Sequence, residues 1–232
     1  SDFVWQKNGE SVAYFCEDPM VKIGLYRINE QKNYVFDSKL FADFPKDNTI
    51  YNSSFTAFTV SDDGKKVFFG IKPSDVVEEA SGVQVWNTAD KSLYPEKKNL
   101  RNWSVLPKLA VWTIETNGFR LITNTELPHV MLTGDQKYAL LYNPIGNEPQ
   151  FDRDAPIDFY LMDIATVTKA LFLEKQSPDF NKLTVSGSGK FIAYYRGQDW
   201  WIYDISTHEH QNLTSMIGVR FEDENYNRAG ET

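Results

Sequence analysis

The sequence predicts an all-β fold in which one four-stranded antiparallel unit is repeated along the chain. Two recurring patterns support this prediction: a polar hairpin turn next to an isoleucine, and a tight turn followed by an apolar, aromatic strand. The composition agrees, since 15% of the 232 residues are aromatic and aromatic side chains are enriched in strands. No segment shows a sustained 3.6-residue apolar period with helix caps, which further favours strands.

The first pattern is a hairpin that occurs in four copies. Each copy has a large side chain, one polar residue, an isoleucine, a short polar turn and a second apolar segment. Such alternation, interrupted by a polar turn, is typical of an antiparallel hairpin with one buried face. The copies read LYRINEQKNYVF, VWTIETNGFRLIT, LMDIATVTKALFL and IYDISTHEHQNLT, and their isoleucines are Ile28, Ile114, Ile164 and Ile205.

The second pattern is a turn that precedes each hairpin, in QKNGESVAYF, SDDGKKVFFG, TGDQKYALLY and SGSGKFIAYY. The aligned turn residues are Gly9, Gly64, Gln136 and Gly189. Glycine adopts positive φ at little cost, so the replacement at Gln136 predicts a looser turn there. The second and third units contain charged, turn-rich insertions, KPSDVVEEASG through EKKNLRNWSVLPK and NPIGNEPQFDRDAPID, which are predicted to be surface loops.

Two hairpins per unit make a four-stranded sheet, and four such sheets in tandem predict the blades of a β-propeller. Four units are few for a closed ring, so we expect an arc of a larger propeller, whose two open blade faces would favour self-association. The alternative is a β-sandwich, in which nothing requires the same two hairpins to recur in order. The predicted units span roughly 1–50, 51–127, 128–176 and 177–214, with the start of a further blade at 215–232.

Three tryptophans are expected to lie between blades. Trp200 and Trp201 are consecutive in one strand, so their side chains should point to opposite faces of the sheet. Each can then meet a neighbouring blade or loop. Trp112 and Trp201 are predicted to be fully buried at blade interfaces.

The charge and cysteine content exclude several classes of protein. Lysine and arginine total 24 against 32 acidic residues, a net charge of −8, and no basic stripe is present, so we expect no nucleic-acid partner. No window approaches 18 consecutive apolar residues, so we expect no membrane span. Cys16 is the single cysteine, which rules out an intrachain disulfide and favours a strand residue over a nucleophile.

Several stretches resemble known propellers. FTVSDDGKKVFFG and LTVSGSGKFIAYYRGQDWWIYDISTHEHQNLT resemble blades of TolB-type propellers and, more closely, the N-terminal propeller of prolyl-oligopeptidase and dipeptidyl-peptidase type serine peptidases from Bacteroidetes-like bacteria. VQVWNTADKSLYP, LAVWTIETNGFRLIT and DAPIDFYLMDIATVTKALFL extend the resemblance, which runs from about Trp5 to Thr214.

This resemblance implies the non-catalytic part of a periplasmic or secreted peptidase. Its partners would be a C-terminal α/β-hydrolase domain of the same polypeptide, which carries the Ser-Asp-His machinery, and the peptide substrates that the propeller filters by size. The alternative is a stand-alone TolB-like propeller that acts as a protein- or ligand-binding scaffold. A third hypothesis, that the arc is itself a glycan-binding or hydrolytic enzyme, has less support.

The chain lacks the Gly-x-Ser-x-Gly nucleophile elbow of these hydrolases. The SGSGK stretch at Ser186–Lys190 has the wrong spacing for that elbow and for a phosphate loop, and it aligns with the repeated turn. We therefore interpret it as a turn, and we expect no catalytic residue in this chain.

Two groups of acidic residues are candidate binding sites. Glu78 and Glu79 invite comparison with the paired glutamates that hold a substrate amine in dipeptidyl peptidases, but they lie in a charged insertion and are interpreted as solvated loop residues. Asp152, Asp154 and Asp158 alternate as calcium ligands do, but the glycine and the terminal glutamate of a calcium loop are missing.

The three histidines are the remaining candidates for chemistry. His208 and His210 could place two imidazoles on one side of a strand, as zinc requires, but the sequence supplies no third ligand nearby, and His129 is far away along the chain. We therefore expect neither a metal nor a cofactor.

Overall fold

The computed structural model describes residues 3–16, 20–52, 56, 58–74, 105–144, 155–218 and 221. Within them, the chain forms four antiparallel sheets in sequence order and two short 3-10 helices. The all-β prediction is confirmed, and the chain is an arc of four β-propeller blades. Residues 75–104 and 145–154 of the two long insertions, and residues 219–220 and 222–232 of the predicted further blade, lie outside the described residues.

Blades 1, 3 and 4 are four-stranded meanders in which each strand pairs with the next. Blade 1 contains β1 Phe3–Trp5, β2 Ser11–Cys16, β3 Lys22–Arg27 and β4 Lys32–Phe36, and is followed by the 3-10 helix Ser38–Leu40. Blade 3 contains β10 His129–Leu132, β11 Tyr138–Tyr142, β12 Ile157–Asp163 and β13 Lys169–Gln176, and is followed by the 3-10 helix Phe180–Lys182. Blade 4 contains β14 Leu183–Val185, β15 Phe191–Arg196, β16 Asp199–Asp204 and β17 Glu209–Asn212.

Blade 2 differs because its first strand is interrupted. Two short strands pair with opposite ends of the same neighbour, through Tyr51↔Gly70 and Thr59↔Phe68. Gly70 is required at this interruption, because a Cβ there would collide with the Tyr51 carbonyl and the Thr56 side chain. The strands of blade 2 are β5 Asn48–Tyr51, β6 Thr59–Val60, β7 Lys66–Pro73, β8 Lys108–Thr113 and β9 Gly118–Leu121.

The four aligned turns share one backbone geometry. In each, the turn residue has positive φ and its N–H donates to the carbonyl three residues earlier, at 2.8–3.0 Å. Gln136 has φ +52° and an N–H···O distance of 2.9 Å, so the expectation of a looser turn there was wrong. The φ values of Gly9, Gly64 and Gly189 are +73°, +65° and +70°.

One hydrogen bond per blade joins the two sequence patterns. The isoleucine N–H donates to the carbonyl of the residue that follows the turn, at 2.9–3.0 Å in all four blades. The turn and the hairpin are therefore two ends of one repeated unit. The donor and acceptor pairs are Ile28 and Glu10, Ile114 and Lys65, Ile164 and Lys137, and Ile205 and Lys190.

The core lies between blades, in three clusters that join blade 1 to 2, 2 to 3 and 3 to 4. The isoleucines show which face is covered: Ile114, Ile164 and Ile205 are 4%, 2% and 3% exposed, whereas Ile28 is 43% exposed. In blades 2, 3 and 4, the face that carries this isoleucine packs against the preceding blade. In the first cluster, the buried ring of Phe36 lies 5.1 Å from Phe69.

The tryptophan predictions hold in part. Trp200 and Trp201 do lie on opposite faces of β16, against Tyr195 (ring centroids 5.4 Å apart) and Tyr194 (6.4 Å apart). Trp112 is fully buried, with 1% of its surface exposed. Trp201 is only partly buried, contrary to expectation, and its indole N–H donates to the Arg196 carbonyl at 3.1 Å, beside the turn that connects β15 to β16.

Candidate functional site

The turns that follow the first strand of each blade meet at one end of the arc, and we call them the turn belt (residues 6–10, 61–65, 133–137 and 186–190). Gln6 Nε2 donates to the Asp62 carbonyl at 2.8 Å, which joins blades 1 and 2. The Asp62 N–H donates to Gln136 Oε1 at 2.9 Å, which joins blades 2 and 3. Blade 3 meets blade 4 where Gly134 lies so close to the Gly187 backbone that no Cβ would fit. The blades therefore converge at this end of their first strands.

A side-chain hydroxyl organises three of the four turns. Ser61, Thr133 and Ser186 each accept the N–H of the residue five positions later, at 2.9–3.0 Å. The turn alignment did not predict this role, although the signal is visible in the sequence as a Ser or Thr three positions before the turn residue. In blade 1 the position is Gln6, whose Oε1 accepts from Ser11 Oγ at 2.8 Å.

Arg27 ties the hairpin of blade 1 to blade 2 beside the belt. Its guanidinium donates to the Gly64 carbonyl at 3.0 Å, to Glu115 at 3.0 Å and to Glu30 at 2.9 Å. Burial acts to lower the pKa of Arg27, but the hydrogen bonds to Glu115 and Glu30 outweigh it and raise the pKa above its usual value. The pair formed by Lys7 and Asp62, at 3.2 Å, is exposed and adds little to stability.

A second feature lies between blades 3 and 4. A cleft of about 290 Å³ separates the last strands of blade 3 from the last hairpin of blade 4, and we call it the histidine cleft. Phe172 of β13 supplies an aromatic wall, with its ring 4.7 Å from Tyr203 and 5.9 Å from His210. Lys169 and Asp163 also line the cleft. It is therefore an apolar, aromatic surface with a polar edge.

Both histidines of the cleft are oriented by tyrosines. His208 Nδ1 lies 2.8 Å from the Tyr203 hydroxyl, and His210 Nδ1 lies 2.8 Å from the Tyr194 hydroxyl. Burial, with a contribution from the nearby charge of Arg196, lowers the pKa of His210, which favours the neutral form of this imidazole. Burial also raises the pKa of the Tyr194 hydroxyl, which remains protonated. The arrangement suits binding of apolar or aromatic groups.

The structure does not bring the three histidines together. His129 lies in β10 and stacks on Tyr142 at 5.3 Å, and burial lowers its pKa. It lines a different cavity, of about 60 Å³, together with Thr56 and Thr123. Thr56 Oγ1 is buried in this region and has no hydrogen-bond partner among the residues that the structure describes. Among the residues that the structure describes, no three His, Cys, Asp or Glu side chains are grouped so that they could hold a metal ion.

Of the other candidate site residues, some have a structural role and the rest lie outside the described residues. Asp158 Oδ1 accepts the N–H of Lys175 at 2.8 Å, where Lys175 has φ +51° beside an irregularity in the β12–β13 pairing. Cys16 is the exposed last residue of β2. Ser186–Lys190 is the turn between β14 and β15, as the sequence predicted. The remaining candidates lie outside the described residues: Glu78, Glu79, Asp152 and Asp154.

Comparison with known proteins gives similarity in structure only. No family model matches the chain, and no curated protein matches it. The chain is similar to a structure from a study of two prolyl endopeptidases, with 11% identity and a TM-score of 0.48, covering 97% of this chain and 29% of that one. It is also similar to the β-propeller domain of the Trilobed protease from Pyrococcus furiosus, with 13% identity and a TM-score of 0.40, covering 92% and 56%.

TolB from Acinetobacter baumannii is a third similar structure, with 17% identity and a TM-score of 0.39, covering 92% of this chain and 43% of that one. The chain thus spans between 29% and 56% of the length of these three proteins. In the described part of the chain, no helix has the length and apolar character needed to cross a membrane.

Proposed function

We propose that this chain is the non-catalytic propeller portion of a serine peptidase of the prolyl-oligopeptidase or dipeptidyl-peptidase type. In this proposal an α/β-hydrolase domain follows on the same polypeptide and performs the chemistry on peptide substrates. The propeller positions that domain and restricts entry to short or unstructured peptides. The protein would work in the periplasm or outside the cell, where such substrates occur.

The observation that carries the proposal is the turn belt. The Asp62 carbonyl accepts a hydrogen bond from Gln6, and the Asp62 N–H donates one to Gln136. The backbone of this one residue therefore connects blades 1, 2 and 3. At the next interface Gly134 and Gly187 place two backbones in direct contact. A size filter needs blades that are held together in this way, because a passage discriminates by size only when its width is fixed.

The chemistry of the described side chains is also consistent with a non-catalytic part. The sequence contains no Gly-x-Ser-x-Gly elbow. The two histidines of the cleft are bonded to tyrosine hydroxyls at Nδ1, whereas a catalytic histidine is paired with a nucleophile and a carboxylate.

A two-part experiment tests the proposal. The open reading frame beyond Thr232 should encode a Gly-x-Ser-x-Gly segment within a few hundred residues, and a stop codon there would favour the stand-alone TolB-like scaffold. A fluorophosphonate probe should label the whole protein at one serine and should leave the isolated 232-residue chain unlabelled. Labelling of a serine within the 232 residues would contradict the non-catalytic assignment.

The filtering role has its own test in the whole protein. Gln136→Ala removes the acceptor for the Asp62 N–H and loosens the belt, so cleavage of long peptides should increase relative to a chromogenic dipeptide. Lys137→Ala, an exposed neighbour in the same turn, is the matched control and should leave the ratio unchanged. If Gln136→Ala also left the ratio of long-peptide to dipeptide cleavage unchanged, the turn belt would have no role in substrate selection.

A further inference from the structure

The histidine cleft lies within a formed interface, because both of its walls are blades that the structure describes. Blade 3 supplies Tyr138, Leu161 and Phe172, and blade 4 supplies Tyr203 and His210. All of these except His210 belong to, or pack against, the cluster that joins blade 3 to blade 4. A blade added at either end of the arc would pack on a different face and would not fill the cleft.

A β-bulge turns an aromatic ring into the cleft. Leu171 and Leu173 pair with neighbouring residues of β12, and Phe172 between them has no partner in the described ladder. Phe172 and Leu173 both pack in the blade 3–4 cluster, although neighbours in a regular strand face opposite sides of the sheet. Re-aiming of a side chain is a common role of such bulges.

Aromatic rings form the walls of the cleft. The Tyr203 ring lies 4.7 Å from Phe172 and 4.6 Å from His210, and Tyr138 lines the cleft from blade 3. Ala170 also lines it, and its methyl group is too small to fill the space beside Phe172. Because the face of an aromatic ring carries partial negative charge, walls of this kind attract a cation.

Asp163 adds a full negative charge at the edge of the cleft. Its Oδ1 accepts the N–H groups of Ala165 and Thr166 at 2.8 and 2.9 Å, which holds the carboxylate in place. Its Oδ2 has no hydrogen bond or ion pair with the residues that the structure describes. A cation in the cleft therefore meets an oxygen that no described side chain occupies.

The basic side chains near the cleft are directed elsewhere. Lys169 pairs with Met162, which belongs to the blade 2–3 cluster, and its ammonium lies 5.9 Å from the Tyr160 ring. Arg196 is not among the residues that line the cleft. Burial, with a contribution from the charge of Arg196, lowers the pKa of His210, which favours an uncharged imidazole that does not repel a cation.

We propose that the histidine cleft binds a quaternary ammonium group, either of a free small molecule or of a trimethylated lysine side chain. The methyl groups of such a cation pack on the rings, while the ring faces and Asp163 balance its charge. The volume of about 290 Å³ lies at the lower limit of ligand pockets, roughly 300 Å³, so the cleft accommodates one small group. The proposal does not depend on the peptidase role.

Calorimetric titration of the protein tests the recognition of charge. Choline is the probe, and its uncharged carbon analogue dimethylbutanol, which has the same shape, is the matched comparison. Choline should bind at least about tenfold more tightly than this analogue. Equal affinities would overturn the proposal in favour of a purely apolar cleft, and absence of choline binding up to about 50 mM would also overturn it.

Two variants test the residues of the cleft. Asp163→Asn keeps Oδ1 as the acceptor for the turn but removes the charge, so choline affinity should fall about five- to tenfold. Phe172→Leu keeps an apolar side chain but removes the ring face, and should weaken choline about fivefold. Circular dichroism checks that each variant is folded. Unchanged affinity in both variants would overturn the assignment of the site to this cleft.

Asp204→Asn is the matched control for charge. Asp204 precedes the isoleucine of blade 4 as Asp163 precedes that of blade 3, and its Oδ1 likewise accepts a backbone N–H of its turn, from Ser206 at 2.8 Å. It is not among the residues that line the cleft, so its replacement should weaken choline less than Asp163→Asn does. Equal losses in the two variants would mean that the overall negative charge of the protein, and not the cleft, attracts the cation.

Titration with a short peptide that contains one trimethyllysine distinguishes the two sources of the group. Binding at least about tenfold tighter than that of choline would identify the methylated side chain, and equal binding would identify a free small molecule. Both results support the proposal. Equally tight binding of the same peptide with an unmodified lysine would contradict it, because that ammonium is strongly hydrated and lacks the methyl groups that pack on the rings.

Discussion

Gln136 Oε1 accepts a hydrogen bond from the backbone N–H of Asp62, which lies 74 residues earlier in the chain, at 2.9 Å. The same side chain donates from Nε2 to the Gly134 carbonyl at 3.0 Å, so its amide is held by its own turn and by the neighbouring blade. Gln136 also adopts φ +52°, which costs a non-glycine residue roughly 1–2 kcal/mol. The inter-blade hydrogen bond offsets that backbone cost.

Two substitutions separate these opposing effects. Gln136→Ala loses the acceptor and keeps the strained backbone, so we expect a loss of about 1–2 kcal/mol in the free energy of unfolding. Gln136→Gly loses the same acceptor but relieves the strain, and should be about 1 kcal/mol more stable than Gln136→Ala. Urea denaturation of both variants measures the difference. Equal stabilities would mean that positive φ carries no cost at this turn.

Trp112 and Trp201 should differ in their contribution to stability because they differ in burial. Trp112→Ala removes a side chain that is 1% exposed and leaves a cavity between blades 1 and 2, at a cost of about 3–5 kcal/mol. Trp201→Ala should cost less than about half of that, because the indole is only partly buried. Trp5→Ala, on the exposed face of blade 1, should change stability by about 0.5 kcal/mol or less at monomeric concentrations. Thermal or urea unfolding ranks the three variants, and the reverse order for Trp112 and Trp201 would contradict the difference in burial between them.

The fold could be predicted because its unit is short and repeated. Four copies of the isoleucine hairpin favoured four stacked blades over a β-sandwich, because a sandwich does not require the same hairpins to recur in order. The sequence also predicted that Trp200 and Trp201 face opposite sides, which follows from the two-residue period of a strand.

Other features depend on contacts between segments that are far apart in sequence. The exposure of Ile28 could not be predicted from its motif, which matches the buried copies, because its burial depends on what lies against blade 1. The geometry of the Gln136 turn depends on Asp62 in another blade, and local glycine preference gave the wrong expectation. The histidine cleft was missed for the same reason: Phe172 and His210 come from different blades.

Val167 holds a strained position in the turn of blade 3. It has φ +59°, and the equivalent residues three positions after the isoleucine in the other blades are Gln31, Asn117 and His208, also with positive φ. A β-branched residue is poorly suited to this conformation, whereas asparagine tolerates it. Val167→Asn should therefore stabilise the protein by about 0.5–1 kcal/mol despite a small loss of apolar contact. Gln31→Val, at the exposed equivalent position, is the reverse control and should destabilise by a similar amount; equilibrium denaturation measures both. Destabilisation by Val167→Asn would show that the contact of Val167 with the blade 2–3 core matters more than its backbone.

Tyr142 should make the protein sensitive to alkali. Burial raises the pKa of its hydroxyl from an ordinary value near 10 to about 12. Because the folded state resists ionisation, the stability from the buried neutral hydroxyl is fully present below pH 10 and is lost as the pH rises towards 12. A shift of this size corresponds to roughly 2–3 kcal/mol across that window. Tyr142→Phe removes the titrating group, so the fall in the free energy of unfolding between pH 10 and 12 should be smaller by that amount, as measured by urea denaturation at each pH. Tyr14→Phe, which removes a hydroxyl outside the contacts between described blades, is the matched control for the loss of a tyrosine hydroxyl. If both variants kept the wild-type slope, the alkaline instability would belong to other groups.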